Sequence, residues 1–312
     1  MNSHLWTEVF WASVVAGGLV AGMPLMLAAL GETISERAGV LNIGLEGMML
    51  FGAYGGFLGA YYGHTQWLGY LAGGLAGMAA SAIMVVLCVR LGLDQIVVGI
   101  AITLAGEGIT SVLQEVEFGA SYPRLGSASE LSIPLLDRIP IFGSTLFSQP
   151  PLVYLAIIFV GVLTWAFRAT NMGLNLRAAG EKPEALDAAG VSVIATRSYA
   201  VLATGFLTGL GGAYLAVVGA GIFTPFITQG QGFMAIVIAM LGRGRPWWVL
   251  FGSLLFGITL SLSDSLQIIG ITISTDVVHS LPFVAIIVAL LLFARRSYLP
   301  PSLALPYVRG TR

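Results

Sequence analysis

Apolar runs long enough to cross a lipid bilayer recur along almost the whole chain, and no other feature constrains the fold as much. A helix needs about 20 predominantly apolar residues to span the hydrocarbon. Such runs fall near 9–30, 39–61, 67–89, 94–116, 151–167, 198–220, 232–242, 247–263 and 280–294. The seventh is short, as a half-helix or re-entrant segment would be. The second contains Asn42 and Glu46, which predicts a break. The expected architecture is all-α, a polytopic transmembrane helical bundle of about nine spans, with eight to ten allowed. Polar segments reach only about 30 residues, too few for an independent core. Charged residues make up 9% of the chain, against roughly 25% in soluble proteins.

Composition excludes several functions. A formal net charge of −1 offers no basic surface for nucleic acid. The one lysine, Lys182, follows Glu181, so no Walker A Gly-Lys pair exists and ATP binding through a P-loop is ruled out. The one cysteine, Cys88, sits in an apolar run and reads as a small buried hydrophobe. His4, His64 and His279 are too dispersed for a local metal motif. No metal and no cofactor is expected, and no catalytic residue. The first ten residues lack Lys and Arg, so no cleavable signal is expected either.

The basic residues orient the bundle. Arg37, Arg90, Arg168, Arg177, Lys182, Arg197, Arg243, Arg245, Arg295, Arg296, Arg309 and Arg312 fall on one side of the alternation, and only Arg124 and Arg138 on the other. The positive-inside rule places the first set in the cytoplasm. The 168–197 loop is then cytoplasmic and the 117–150 loop external. Glycine pairs spaced i, i+4, such as Gly52/Gly56, Gly73/Gly77 and Gly205/Gly209, allow helix backbones to approach closely.

Two segments carry more specific information. In 31–50, Glu32, Glu36 and Arg37 stand at an expected membrane boundary, followed by Asn42, Gly44, Glu46 and Gly47 in apolar surroundings. An ionisable group inside a span is costly and is a functional candidate. Irregular backbone there must be buried in protein or line a cavity. Glu46 therefore reads as a cap on a broken helix, as the partner of a cation, or as a substrate contact. In 168–197, Pro183 suits a helix start and Gly190 its end, which predicts a short helix over about 183–189. Such a helix is unstable alone and needs a groove in a partner.

The stretch Ser35-Glu-Arg-Ala-Gly-Val-Leu-Asn-Ile-Gly-Leu-Glu-Gly47, with Asn175-Leu-Arg-Ala-Ala-Gly-Glu-Lys-Pro-Glu-Ala-Leu-Asp-Ala-Ala-Gly190 and Phe206-Leu-Thr-Gly-Leu-Gly-Gly-Ala-Tyr-Leu215, resembles the permease subunits of ABC importers. The branch is that for nucleosides and simple sugars, related to the ribose and branched-chain amino acid permeases. The resemblance covers roughly 20–295 and implies one permease domain over 1–312, with 168–197 as its ATPase-docking loop. It implies a cytoplasmic ABC ATPase subunit, a second homologous permease subunit in a heterodimer, and an extracytoplasmic substrate-binding protein. The location implied is the cytoplasmic (inner) membrane of a prokaryote. ATPase coupling would fall to Glu181, Pro183, Glu184, Ala185, Asp187, Ala188 and Gly190. Leu186-Asp187 departs from the family's smaller, less charged residues.

Polar groups in or beside the apolar runs are the candidate substrate pathway: Asn42, Glu46, Thr103, Glu107, Gln114, Gln229 and Gln231. For Thr103 a bond to its own helix is an equal reading. Glu115, Glu117 and Asp264 read as solvated or as contacts for the binding protein. Gly242-Arg-Gly-Arg-Pro-Trp-Trp248 reads as an interfacial anchor. An ion-coupled secondary transporter, reading its ion through Glu46 and Glu107, is the alternative of a different class.

Overall fold

The computed structural model describes residues 8–132, 147–268 and 299–308, with single helical positions at 284, 287, 288 and 291. Ten helices appear among them: α1 Glu8–Arg37, α2 Leu45–Gly63, α3 Gln66–Met84, α4 Gln95–Phe118, α5 Pro151–Ala169, α6 Asn171–Glu181, α7 Pro183–Ala188, α8 Val193–Tyr214, α9 Gln231–Gly242 and α10 Pro246–Ile268. α3 and α8 each end in a six-residue π-helical turn, Val85–Arg90 and Leu215–Ala220. Two short antiparallel strands, β1 Leu131–Ser132 and β2 Ser148–Gln149, pair near the start of α5. The ninth expected span, 280–294, lies outside the described residues apart from those four positions. So do Arg138, Arg295, Arg296, Arg309, Arg312, His4, His279, Asp276 and the side chain of Asp264.

Five described segments are long and apolar enough to cross a membrane: Phe10–Arg37, Gln66–Arg90, Gln95–Phe118, Pro151–Ala169 and Val193–Ala220. The other expected spans up to 263 are helical too. α2 is diluted by glycine and tyrosine, and α9 has only 12 residues. A 12-residue helix rises roughly 18 Å, short of the ~30 Å hydrocarbon. The irregular stretch 221–230 leads into it.

Two expectations need correction. The 168–197 segment is not a loop: it holds the end of α5, all of α6 and α7, and the start of α8. α1 runs to Arg37, so Glu32 and Glu36 are buried inside the bundle instead of standing at a boundary. Arg197, one of the basic residues on the expected cytoplasmic side, is buried.

The centre is built by α1, α2, α3 and α8, with α9 and α10 packed on α1. Lipid offers no hydrophobic drive between helices, so contact there depends on close packing. Gly209 of α8 supplies it. A Cβ at this position would lie 2.3 Å from Gly73 O and 3.0 Å from Gly77 Cα on α3, and Gly52 of α2 packs against the same residue. α4 and α5 are peripheral, and Leu104, Val112, Val116, Ile158 and Trp165 face outward.

Gly209→Val is expected to force α8 from α3 and cost about 1–3 kcal/mol or more. Gly161→Val on α5, where a Cβ meets nothing within 4 Å, is expected to be neutral. Melting of the detergent-purified variants by size-exclusion fluorescence tests the contrast, and equal stability would refute the packing account.

Candidate functional site

The break between α1 and α2, residues 38–44, is irregular backbone buried in protein, so its polar groups need partners. The N–H of Leu41 donates to Gln95 Oε1 (2.8 Å), that of Asn42 to Glu32 Oε1 (3.0 Å) and that of Gly44 to Asn42 Oδ1 (3.1 Å). Asn42 is fully buried, and its amide also reaches Met48 Sδ at 3.3 Å. Asn42 thus shapes the turn that starts α2.

Glu46 lies in the first turn of α2, 3% exposed. Thr228 Oγ1 donates to its Oε1, as does the N–H of Gly230 (2.8 Å), and the N–H of Gly232 donates to Oε2 (2.6 Å). One carboxylate therefore sits at the N-termini of α2 and α9, where unpaired N–H groups and the helix dipoles favour negative charge. It takes the place of a cap for α9, whose N-cap Gly230 has no side chain to offer.

The other pathway candidates separate into groups. Thr103 sits close by: a Cβ on Gly47 would lie 2.8 Å from Thr103 Cα. Its hydroxyl is buried without a hydrogen-bond partner. Glu107, one turn further along α4, is half-buried. Gln114 is distant, at the other end of α4, donating to Ser121 O (3.4 Å) with its Oε1 buried and unpaired. Gln231 opens α9 with a buried, unpaired Oε1, whereas Gln229 is exposed with φ +46. Asn42, Glu46, Thr103 and Gln231 thus gather near the start of α2. The residues that actually reach Glu46, Thr228 and the two glycines, alternate with the expected glutamines in the polar run 228–232. At the far end of the bundle Tyr62 OH donates to Glu117, and Glu115 is exposed.

At the arginine-rich end, α7 is anchored by Leu186, which is buried against Ala179 of α6 and Val193 of α8. The departure at Leu186 is thus an apolar anchor within the chain, and α7 needs no partner's groove for that face. Glu184, Ala185 and Ala188 are exposed on it, and Pro183 is buried at its first turn. Gly190 N–H bonds Asp187 O (2.9 Å) and Val191 N–H bonds Leu186 O (3.2 Å), a Schellman end. It places Gly190 at φ +84, where other residues are strained. Glu181 belongs instead to the end of α6, accepting from Arg177 Nε (2.9 Å).

Arg197 joins these parts. Its guanidinium donates to Ala38 O (3.1 Å), Ala179 O (3.1 Å) and Leu305 O (2.8 Å). The 299–308 tail adds Ser302 N–H to Gly180 O (3.0 Å) and Ala304 N–H to Gly39 O (3.2 Å). The break, α6 and the 299–308 segment therefore meet at one buried cation on α8, whose planar fork suits three carbonyls at once.

The chain is similar to several known proteins. Residues 14–294 match the family described as branched-chain amino acid transport system / permease component. The chain is 33% identical over 307 residues to the nucleoside ABC transporter permease protein NupC of Lactococcus lactis, covering 95% of this chain and 97% of NupC. It is 33% identical over 310 residues to the guanosine ABC transporter permease protein NupQ of Bacillus subtilis, covering 96% and 97%. TsgC13 of Haloferax volcanii, an ABC transporter permease named for glucose, is 36% identical over 265 residues, covering 83% and 78%. NupB and NupP, from the same two organisms as NupC and NupQ, are also similar. An ABC transporter solved in an inward-facing conformation shares the fold at a TM-score of 0.50 and 16% identity, covering 94% and 90%. The chain belongs to this ABC transporter permease family. It is a multi-pass membrane protein and a transport component.

Glu46→Ala would leave Thr228, Gly230 and Gly232 without their acceptor. Bonds to charged groups contribute about 1.5–3 kcal/mol each, so a loss of about 3 kcal/mol or more is expected, read as a lowered Tm in detergent. An unchanged Tm would remove Glu46 from its structural role.

Proposed function

We propose that this chain is one of two permease subunits of an ATP-driven importer that moves nucleosides, or related small solutes, by alternating access. The observation that carries it is the helix α7, anchored on one face by Leu186 and open on the other, tied through Arg197 to the break beside Glu46. ATP binding would close the ATPase pair and move α7. Packed cores shift between discrete arrangements instead of deforming smoothly, so the motion reaches 38–44 and, through Glu46, α9. Glu184, Ala185, Asp187, Ala188 and Gly190 form or end this docking element. Glu181 and Pro183 set its approach.

The proposed arrangement is one domain of nine spans, in a prokaryotic cytoplasmic membrane. Arg37, Arg168, Arg177 and Arg243 line one cavity at the α7 end, while Arg124 lines another with His64. By the positive-inside rule the first end is cytoplasmic. That two similar permeases, NupB and NupC or NupP and NupQ, occur in each of these organisms supports a heterodimer. An extracytoplasmic binding protein would deliver substrate, and hydrolysis would occur on the separate ATPase subunits. Asn42, Thr103, Glu107, Gln114, Gln229 and Gln231 remain the proposed polar pathway, with Glu46 as its support. Family membership sets aside the ion-coupled alternative.

Glu184→Lys and Gly190→Val are expected to abolish ATPase co-purification or cut uptake to about a tenth or less, with membrane insertion intact. Normal uptake by both would remove the coupling assignment. Cells expressing the complete transporter are expected to accumulate radiolabelled guanosine, with competition by other nucleosides and none by glucose or leucine. Uptake of glucose or leucine alone would transfer the substrate reading to the sugar or amino acid branch.

A further inference from the structure

The Gly242–Trp248 connection borders two adjoining cavities that transport does not explain. The first, about 290 Å³, is a groove between α9 and α10, with Ile238 and Phe256 buried at its base and Leu241, Phe251 and Leu255 along it. Arg243, Arg245 and Trp248 stand at its mouth. Trp248 and Phe251 are 59% and 60% exposed, so among the described residues the groove is open on the outside of α9 and α10, the side that lipid would meet. The second cavity, about 330 Å³, shares Arg243 and is also lined by Arg37, Arg168 and Arg177 against Glu36 and Glu181. Arg37 is fixed there, its Cζ 4.0 Å from the Phe167 ring centroid.

An apolar slot open to the hydrocarbon, with a cationic mouth and an indole at interface level, matches one molecule end to end. We propose that this site binds one anionic phospholipid, its acyl chain in the α9–α10 groove and its phosphate diester at Arg243 and Arg245. Cations outnumber carboxylates around the mouth, so a net-negative headgroup is preferred over a zwitterionic one. Basic pockets between membrane helices take anionic headgroups in this way. The site needs only membrane insertion and does not depend on the transported solute. By bridging α9 and α10 it would brace α9, the short helix that Glu46 holds at its other end.

The full chain, purified in mild detergent with its ATPase and partner permease, is stripped of lipid and titrated with dioleoyl phosphatidylglycerol or phosphatidylcholine under native mass spectrometry. Each arginine near an anionic headgroup contributes roughly fivefold in binding. Phosphatidylglycerol is expected to bind at least about tenfold more tightly than phosphatidylcholine, and R243Q/R245Q to weaken it by about 25-fold. Leu255→Trp, which fills the groove and leaves the charge alone, is expected to weaken it as well, and Arg124→Gln at the opposite end is not. Equal binding of both lipids by the wild-type complex overturns the proposal. Competition by millimolar inorganic phosphate would make it a free-anion site and overturn the lipid assignment. Loss of the ATPase subunit from R243Q/R245Q with lipid binding unchanged would reassign the arginines to a protein contact.

Discussion

Non-helical backbone inside a membrane protein must find every hydrogen bond from the protein itself, because lipid supplies none. The 38–44 break meets that demand with side chains from four separate places: Glu32 on α1, Asn42 within the break, Gln95 at the start of α4 and Arg197 on α8. A straight helix would have needed none of them. Once the break exists, the positions of α1, α4 and α8 are fixed relative to it. α2 then begins inside the bundle with its N-terminus available to a carboxylate.

The same demand recurs at 221–230, and Glu46 meets it there. Thr228, Gly230 and Gly232 converge on one side chain that belongs to α2. The two irregular segments are therefore not independent. A displacement of the first moves the acceptor of the second. The glycine contacts around Gly209 favour this, since a bundle held by close backbone packing holds α2, α3 and α8 together as a unit. The helices α6, α7 and α9 share less of this close packing.

Much of the fold was legible in the sequence because hydropathy reports directly on the solvent. Each apolar run up to 263 became a helix, and both the break near Asn42 and the short seventh run showed as expected. The helix at 183–188 was legible from Pro183 and Gly190, whose backbone preferences are local. What escaped was non-local. Glu32 looked like a boundary charge because seven further residues of helix cannot be inferred from a run containing Glu and Arg. Arg197 was counted only as one more cation on the expected cytoplasmic side because its acceptors are carbonyls, which every residue has and no motif advertises. Thr228 was passed over for Gln229 and Gln231, as the choice depends on which side of a non-helical turn faces Glu46. α6 was missed because its buried stripe, Gly173, Leu176, Ala179 and Gly180, is small and weakly apolar.

The contact between the 299–308 tail and Arg197 has a consequence for biosynthesis. The tail leaves the ribosome after α1–α10, yet Leu305 supplies one of the three carbonyls around the buried guanidinium, and Ser302 and Ala304 bind Gly180 and Gly39. Until it arrives, the junction of the break with α6 and α8 is incomplete, however well the spans before it have inserted. Of the described contacts around Arg197, the one to Leu305 is thus the last that can form, because its carbonyl lies furthest along the chain.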